Sequence, residues 1–563
     1  MTPCDPNEIY HARNEEKPQA EQEISGGAQI PNHAVTFDSP HDDQNPQDWA
    51  SWKKLRIRTQ SACNGQLNRL VISTTACTGT LIASFNSAIY NAAAASSSTE
   101  FNVGNRVTAL GTSLFVLGFA SGPVIWAPGS EMLGRRWPLV LGVFGSCVFT
   151  FGSGMAENVQ TLIVCRFFAG LFGASPLCVV PAVLADLYNN TYRGVAISMY
   201  ALTVFGGPFL APIVGDFIVA SHLGWRWTLY LPAILGLANS LFLLLLFRET
   251  FAPLVLVQKA QLLRWQTGDW KIYAEQERLK LDVHAVVKKY LTRPLCMLAT
   301  EPIILLVSTY MSFIYGLVYA LLGAYPYVFQ HVHGMQTGVR TLPFLGLLMG
   351  VVLALIFILG QHRSYCRKLE ANNGKTIPEW RLGPAILGAV VFTVGLFSFA
   401  WTGFTNAVHW MAPTAAGVFI GFGVLCIFLP CFNYLVDAFL PLAASAVAAN
   451  IMLRSAVAAG FPLFSTQMFE NLGIQWAGML LACLATIMIP IPIVFRAYGP
   501  TLRAKSKILV EAASEVMRMI CSPRRKGEEC TKRLYTMREM QKFESEEYAY
   551  NNKIRHCIHA SEE

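Results

Sequence analysis

Apolar residues gather along this chain into twelve runs of about twenty positions, each bounded by polar or charged residues, with one long charged stretch after the sixth. Helices rising ~1.5 Å per residue turn such runs into rods that cross the ~30 Å hydrocarbon core of a bilayer. Lipid offers no partner for an unpaired backbone group, so unbroken apolar runs span as helices. The pattern therefore predicts an all-α membrane protein with twelve transmembrane helices in two pseudo-symmetric six-helix halves.

In the first half the predicted spans run over Val71–Ala93, Thr108–Ala127, Trp137–Ala156, Leu162–Leu184, Val195–Ala220 and Trp227–Phe247. In the second they run over Ile303–Ala324, Leu342–Gln361, Leu382–Trp401, Pro413–Tyr434, Ala443–Ser465 and Trp476–Phe495. The chain thus divides into a tail over 1–70, a half over 71–247, a central loop over 248–302, a half over 303–497 and a tail over 498–563.

Charge gives these spans a direction. Seventeen Lys and Arg fall in the loops on the side of the central segment, against three (Arg106, Arg226, Arg340) on the other. The excess of positive charge marks the cytosolic side, so both tails and the central loop are expected there. The opening residues lack the basic and apolar regions of a cleaved signal peptide, so the first span is expected to direct insertion itself. Residues up to about Gln29 are acidic and polar and are expected to be disordered. Trp49 and Trp52, followed by Lys53, Lys54, Arg56 and Arg58, suit either a helix on the anionic inner leaflet or an ordinary basic flank. The basic SPRRKGEECTKR tail reads the same way.

Composition narrows the classes further: 53% of the 563 residues are apolar and only 14% charged, against roughly 25% charged in soluble domains. The net charge of +8 is spread over loops and tails rather than gathered on one face, so no nucleic-acid partner is indicated. The 14 Cys show no paired spacing, which points to neither zinc nor a disulfide framework. His331 and His333 alone are too few for a metal site. Asn189 opens a glycosylation sequon, on the side where that modification does not occur. No phosphate-binding glycine loop, HExxH or GxSxG pattern is present, so no cofactor, ATP-driven transport or enzyme activity has support. The charge alternation and helical spacing from Phe251 to Arg293 predict surface helices tethering the halves.

The sharpest polar signals are inside the spans. An Arg in hydrocarbon costs several kcal/mol, of order 3, unless it faces a partner or a cavity. Arg166 of the fourth span and Arg454 of the eleventh therefore need one, and a purely structural pairing is an open alternative for both. Asn450 lies one turn from Arg454 and is expected to share a hydrogen-bonded patch with it. Titratable acids occur only near span edges, at Asp216, Glu301, Asp437 and Glu470, and Asp216, Glu301 and Asp437, with Arg166 and Arg454, are the proton-coupling candidates. Asp216 is a proton or cation site, or a group in interfacial water; Glu301, before Pro302, also suits a helix cap. Tyr310, Tyr315, Tyr319 and Tyr325 of the seventh span, and Asn86 of the first, offer a weakly polar aromatic wall, unless the rings only pack helices. Tyr315, Tyr319, Asn86 and Asn450 are taken as substrate candidates.

Five segments, WAPGSEMLGRRWPL, ADLYNNTYRG, FGGPFLAPIVGD, RETFAPLVLVQKAQLLRWQTGD and SAVAANIMLRSAVAAGFPLF, occur in order along the chain. They resemble the fungal multidrug and polyamine efflux group of the major facilitator superfamily, within its twelve-span drug:proton antiporter branch. The resemblance implies a secondary antiporter that exports a drug, toxin or metabolite in exchange for protons; monomer is the default expectation, and no cofactor is expected. A polyamine exporter, or a facilitative or sensor member, is the alternative. A plasma membrane is implied, with a vacuolar one open.

In this resemblance Glu131, Gly134, Arg135 and Arg136 match the loop pattern G-x-x-x-D-R-x-G-R-R, with Ala127 and Met132 departing from it. The family uses that loop as a latch between the halves. The carboxylate of Glu131 is expected to cap a helix and the arginines to pair with Asp186. Gly207, Pro208, Pro212 and Gly215 fit the antiporter signature of the fifth span, with Ala211 and Asp216 in place of glycines. Small residues and prolines there are expected to form a rocking interface between the halves. Arg166 falls in a fourth-span motif that the family associates with proton transfer, in which Gly170 and Gly173 also fit.

Overall fold

The computed structural model describes residues 61–188, 190–274, 277, 292–372, 377–439 and 443–504. The expectations for the N-terminal tail, Trp49 to Arg58, Asn189, most of 275–291 and the SPRRKGEECTKR stretch lie outside these residues. Every predicted span is helical, and most helices overrun their apolar run into the polar margin.

The first half consists of helices Ser61–Glu100, Asn105–Ser121 continued by Pro123–Met132, Arg136–Gly154, Val159–Leu187, Asn190–Ala220 and Trp227–Leu246. The second consists of Pro302–His331, Phe344–Ala371, Gly383–Thr402, Met411–Ala438, Ala443–Leu472 and Ile474–Met488 continued by Pro490–Ala504. Eleven of these spans meet both the length and the hydropathy of a membrane crossing; Ser61–Glu100 has the length, at 40 residues, with Thr, Ser and Asn interspersed. Helix starts follow local chemistry. The Asn158 side chain accepts from Thr161 N at 2.8 Å to cap the fourth span. Pro302 and Pro123 occupy first-turn positions where the missing N–H costs nothing.

Helix neighbours repeat between the halves. The first span packs on the fifth, the second and third on the fourth, and the third on the sixth. Six spans later the seventh packs on the eleventh, the eighth and ninth on the tenth, and the ninth on the twelfth. Equivalent close approaches underlie this repeat. A side chain at Gly118 would sit 2.6 Å from Leu171 N, and one at Gly350 would sit 2.7 Å from Phe422 N. Without a water-driven force between lipid-bathed helices, such backbone proximity is what holds them. The halves meet where the second span packs on the eleventh and the fifth on the eighth, again an equivalent pair.

Large apolar side chains point outward along these rods, with Leu245 69% and Ile487 73% exposed. A contiguous apolar exterior of this kind needs lipid around it. In the central loop Arg264 pairs with Glu277, and Trp265 meets Trp270 edge-on at 6.3 Å. Helix Ala252–Thr267 agrees with the helical spacing expected there.

Candidate functional site

Among the described residues, polar assemblies break the apolar interior near the face carrying the loop between the halves, at the opposite face and in the middle. On the loop face, the turn between the second and third spans needs Gly134. Its φ is +84°, and a side chain there would fall on the Glu249 carboxylate. Glu249 accepts from Arg135 N at 2.8 Å and Arg136 N at 3.2 Å, which caps the third span. The carboxylate that caps the third span is thus Glu249. A residue after the sixth span reaches this turn because the third and sixth spans pack together.

Arg135 does pair with Asp186, at 3.0 Å, and also donates to Ser130 Oγ at 2.8 Å beneath the Phe251 ring. Arg136 instead donates to Leu244 O at 2.7 Å, a carbonyl at the C-terminus of the sixth span. Among the described residues these polar contacts stay within the first half and the start of the central loop. The two halves are joined on this face by Asp437 of the tenth span. Its carboxylate pairs with Arg381 and lies 3.6 Å from Arg193 of the fifth span. A cavity of about 390 Å³ opens beside this pair, lined by Val195, Ser198, His362, Tyr365, Arg381 and Asn433. That volume suits a small organic molecule. None of the expected substrate residues lines it.

At the opposite face Asp216 is not in interfacial water, as one reading had it, but 1% exposed. It accepts from Arg340 Nη2 at 2.6 Å and Nε at 2.9 Å, and from Gly338 N at 2.8 Å. A planar guanidinium meets both carboxylate oxygens in this way, the strongest geometry for such a pair. Gly338 can take its place there because its φ is +93°. Arg340 belongs to the second half, so this pair closes the seam. Gln467, in the amide orientation that satisfies both groups, accepts from Arg106 Nη2 at 3.3 Å on the same face. Asn91 donates to Leu322 O at 2.8 Å somewhat deeper.

The signature glycines of the fifth span face the first span, while the helix itself packs on the eighth span of the other half. A side chain at Gly207 would sit 2.7 Å from Phe85 N, and one at Gly215 3.0 Å from Ala92 Cβ, so both face the first span of their own half. Pro208 and Pro212 are buried inside the same helix. Near the centre of the seam, Phe205 of the fifth span also meets the other half, its ring 4.7 Å from Phe428 and 6.2 Å from Tyr315.

In the middle the two internal arginines differ sharply. Arg166, 0% exposed, donates to Gly111 O at 3.2 Å, Asn86 O at 3.1 Å and Asn86 Oδ1 at 3.0 Å, with the Phe115 ring 4.3 Å away. It thereby braces the first, second and fourth spans. Asn86 also donates to Thr150 Oγ1 at 2.7 Å, so both ends of its amide are engaged within the first half. Arg454 lies at 4.8 Å from both the Tyr315 and Phe428 rings, yet its Nε and Nη1 have no hydrogen-bond partner. The expected bond to Asn450 is not formed: that amide donates to Ser308 Oγ at 3.2 Å and its Oδ1 is likewise unmet. Tyr315 and Tyr319 are buried with hydroxyls 3.4 Å apart, and Tyr319 reaches Ser87 of the other half at 2.8 Å. Glu301 is buried at the N-cap position of the seventh span, where its side chain makes no capping bond.

Sequence reading missed Glu249, Arg193 and Arg381 as partners. Arg340 did carry a signal, being one of only three basic residues expected on its face.

Two six-helix halves, a polar seam between them and an apolar exterior define a multi-pass membrane protein of the transporter class. The sequence pattern described as Major Facilitator Superfamily matches residues 76–462, and the chain belongs to that superfamily. It is 43% identical over 477 residues to the "Major facilitator superfamily multidrug transporter FLU1" of Candida albicans, covering 84% of this chain and 76% of that one. It is 42% identical over 474 residues to the "Multidrug transporter TPO1_2" of Candida glabrata, covering 84% and 79%. With the "Ascochitine biosynthesis cluster MFS transporter" of Didymella fabae it shares 41% over 485 residues, covering 85% and 90%. Among solved structures, the proton:xylose symporter XylE bound to 6-bromo-6-deoxy-D-glucose superposes with a TM-score of 0.55 at 18% identity, covering 76% of this chain and 95% of that one. That likeness establishes the fold, and the fungal relatives establish a multidrug-type branch.

Proposed function

We propose that this chain is a secondary antiporter that exports a small organic compound, a drug, toxin or secondary metabolite, in exchange for protons. The observation that carries this reading is that the halves are tied at both faces by acid–base pairs, Asp216 with Arg340 and Asp437 with Arg193. Alternating access requires one tie to break while the other holds. A proton on either carboxylate removes its charge and weakens the pair, which couples opening to proton binding. We therefore assign coupling to Asp216 and Asp437 in preference to Arg166, whose described hydrogen-bond partners are carbonyls and an amide. An Arg does not release a proton at these pH values.

The relatives named as multidrug transporters support export, and the name of the Didymella fabae protein places that relative beside a biosynthetic pathway. An aromatic seam holding an unpaired guanidinium favours an aromatic or amphipathic organic compound over a polyamine. The excess of basic loops argues that both termini are cytosolic, and we assign the protein to the plasma membrane.

Flux in sealed inside-out vesicles tests the reading. Uptake of a fluorescent aromatic drug should rise when the lumen is acidified and vanish with an uncoupler; uptake indifferent to the uncoupler contradicts antiport.

A further inference from the structure

Arg166 and Arg454 are equally buried, yet only one is discharged by its surroundings. Arg166 is met by carbonyl and amide oxygens from two neighbouring helices. Arg454, 1% exposed, has no salt bridge among the described residues, and two of its three nitrogens lack any acceptor. The π faces of Tyr315 of the seventh span and Phe428 of the tenth flank it, and the Tyr200 and Tyr319 hydroxyls and the Cys178 thiol lie within electrostatic range without hydrogen-bonding its Nε or Nη1. Cation–π contact offsets only part of the cost of an unpaired buried charge. The balance is left open for a group that arrives from outside the chain.

The location fits a transported group. Phe205 of the first half packs on both rings that flank Arg454, so the guanidinium sits where the two halves converge. In two-half carriers the substrate binds at this convergence near the midplane. We infer that Arg454 anchors an anionic group on the exported compound, a carboxylate, enolate or sulfonate attached to an aromatic body. This rests on the export reading and narrows it. A planar anion completes the unmet donors, while its aromatic part lies among Tyr315, Phe428 and Phe205. Asn450 Oδ1, also unmet one turn away, is an acceptor for a donor on the same molecule. A polycation is repelled from the same position.

Binding separates this inference from the export reading, because it requires no flux. Equilibrium dialysis of radiolabelled 2-naphthalenesulfonate and of 2-naphthalenesulfonamide against the purified full chain in neutral-lipid nanodiscs gives the preference directly. The sulfonate is expected to bind at least tenfold tighter than its neutral isostere. Arg454→Gln should abolish that preference while changing sulfonamide affinity less than twofold, and Arg454→Lys, which keeps the charge, should retain its sign. A wild-type protein without preference for the anion, or a Lys variant that loses it as fully as the Gln variant, overturns the inference. Anion preference without proton-dependent flux in vesicles leaves the anchor standing and removes the export reading.

Discussion

Asp216 and Arg340 lie 124 positions apart in the chain and close one face of the protein through a two-point ion pair, with Gly338 N as a third donor to the carboxylate. Breaking a buried pair by removing one charge costs about 3–5 kcal/mol, because the partner is left uncompensated. Asp216→Asn should therefore shift the protein toward the form open on that face. Ser87, buried beneath it, reports the shift: in a Ser87→Cys background, labelling by a membrane-impermeant maleimide should rise about tenfold, equivalent to about 1.4 kcal/mol. Unchanged labelling would mean that this pair does not hold the seam.

On the loop face, Gly134→Ala should destabilise more than Glu249→Gln. The first introduces a side chain at a φ of +84° and onto the Glu249 carboxylate. Strain alone costs about 1–2 kcal/mol there, before the cap is lost. The second keeps the shape of the cap but turns one of its two accepting oxygens into a donor, leaving one backbone N–H unmet, a loss of about 1 kcal/mol. Thermal unfolding of the purified variants gives the order, and equal losses would show that the cap does not depend on the turn.

Arg166→Lys should lower the melting temperature, because an ammonium cannot reproduce the planar set of donors spread over Gly111, Asn86 and Ser87. Each acceptor left unmet costs about 1–3 kcal/mol. Loss of transport with an unchanged melting temperature would instead give Arg166 a part in coupling.

Much of this architecture is legible along the chain, because lipid leaves few ways to satisfy a backbone. The spans, their division into halves and the pairing of Arg135 with Asp186 follow from apolar runs and loop charges. The ties across the seam do not, since Arg340 and Arg193 read as ordinary topology charges until the halves are brought together. Glu249 was hidden for the same reason: its target turn lies more than a hundred positions away. The glycines of the fifth span announced a close approach and not its partner, which is the first span. Internal arginines announced a need for partners, but only the packing separates Arg166, which has them, from Arg454, which does not.

Reciprocal movement of the two faces is the claim on which the rest depends. Spin labels at Ser221 and Gln336, exposed on the face of the Asp216 tie, and at Tyr192 and Arg363, exposed on the loop face, report each seam separately by pulsed electron resonance. Lowering the pH or adding substrate should lengthen one distance while the other shortens. Both distances lengthening together, or neither changing, would contradict alternating access through these ties.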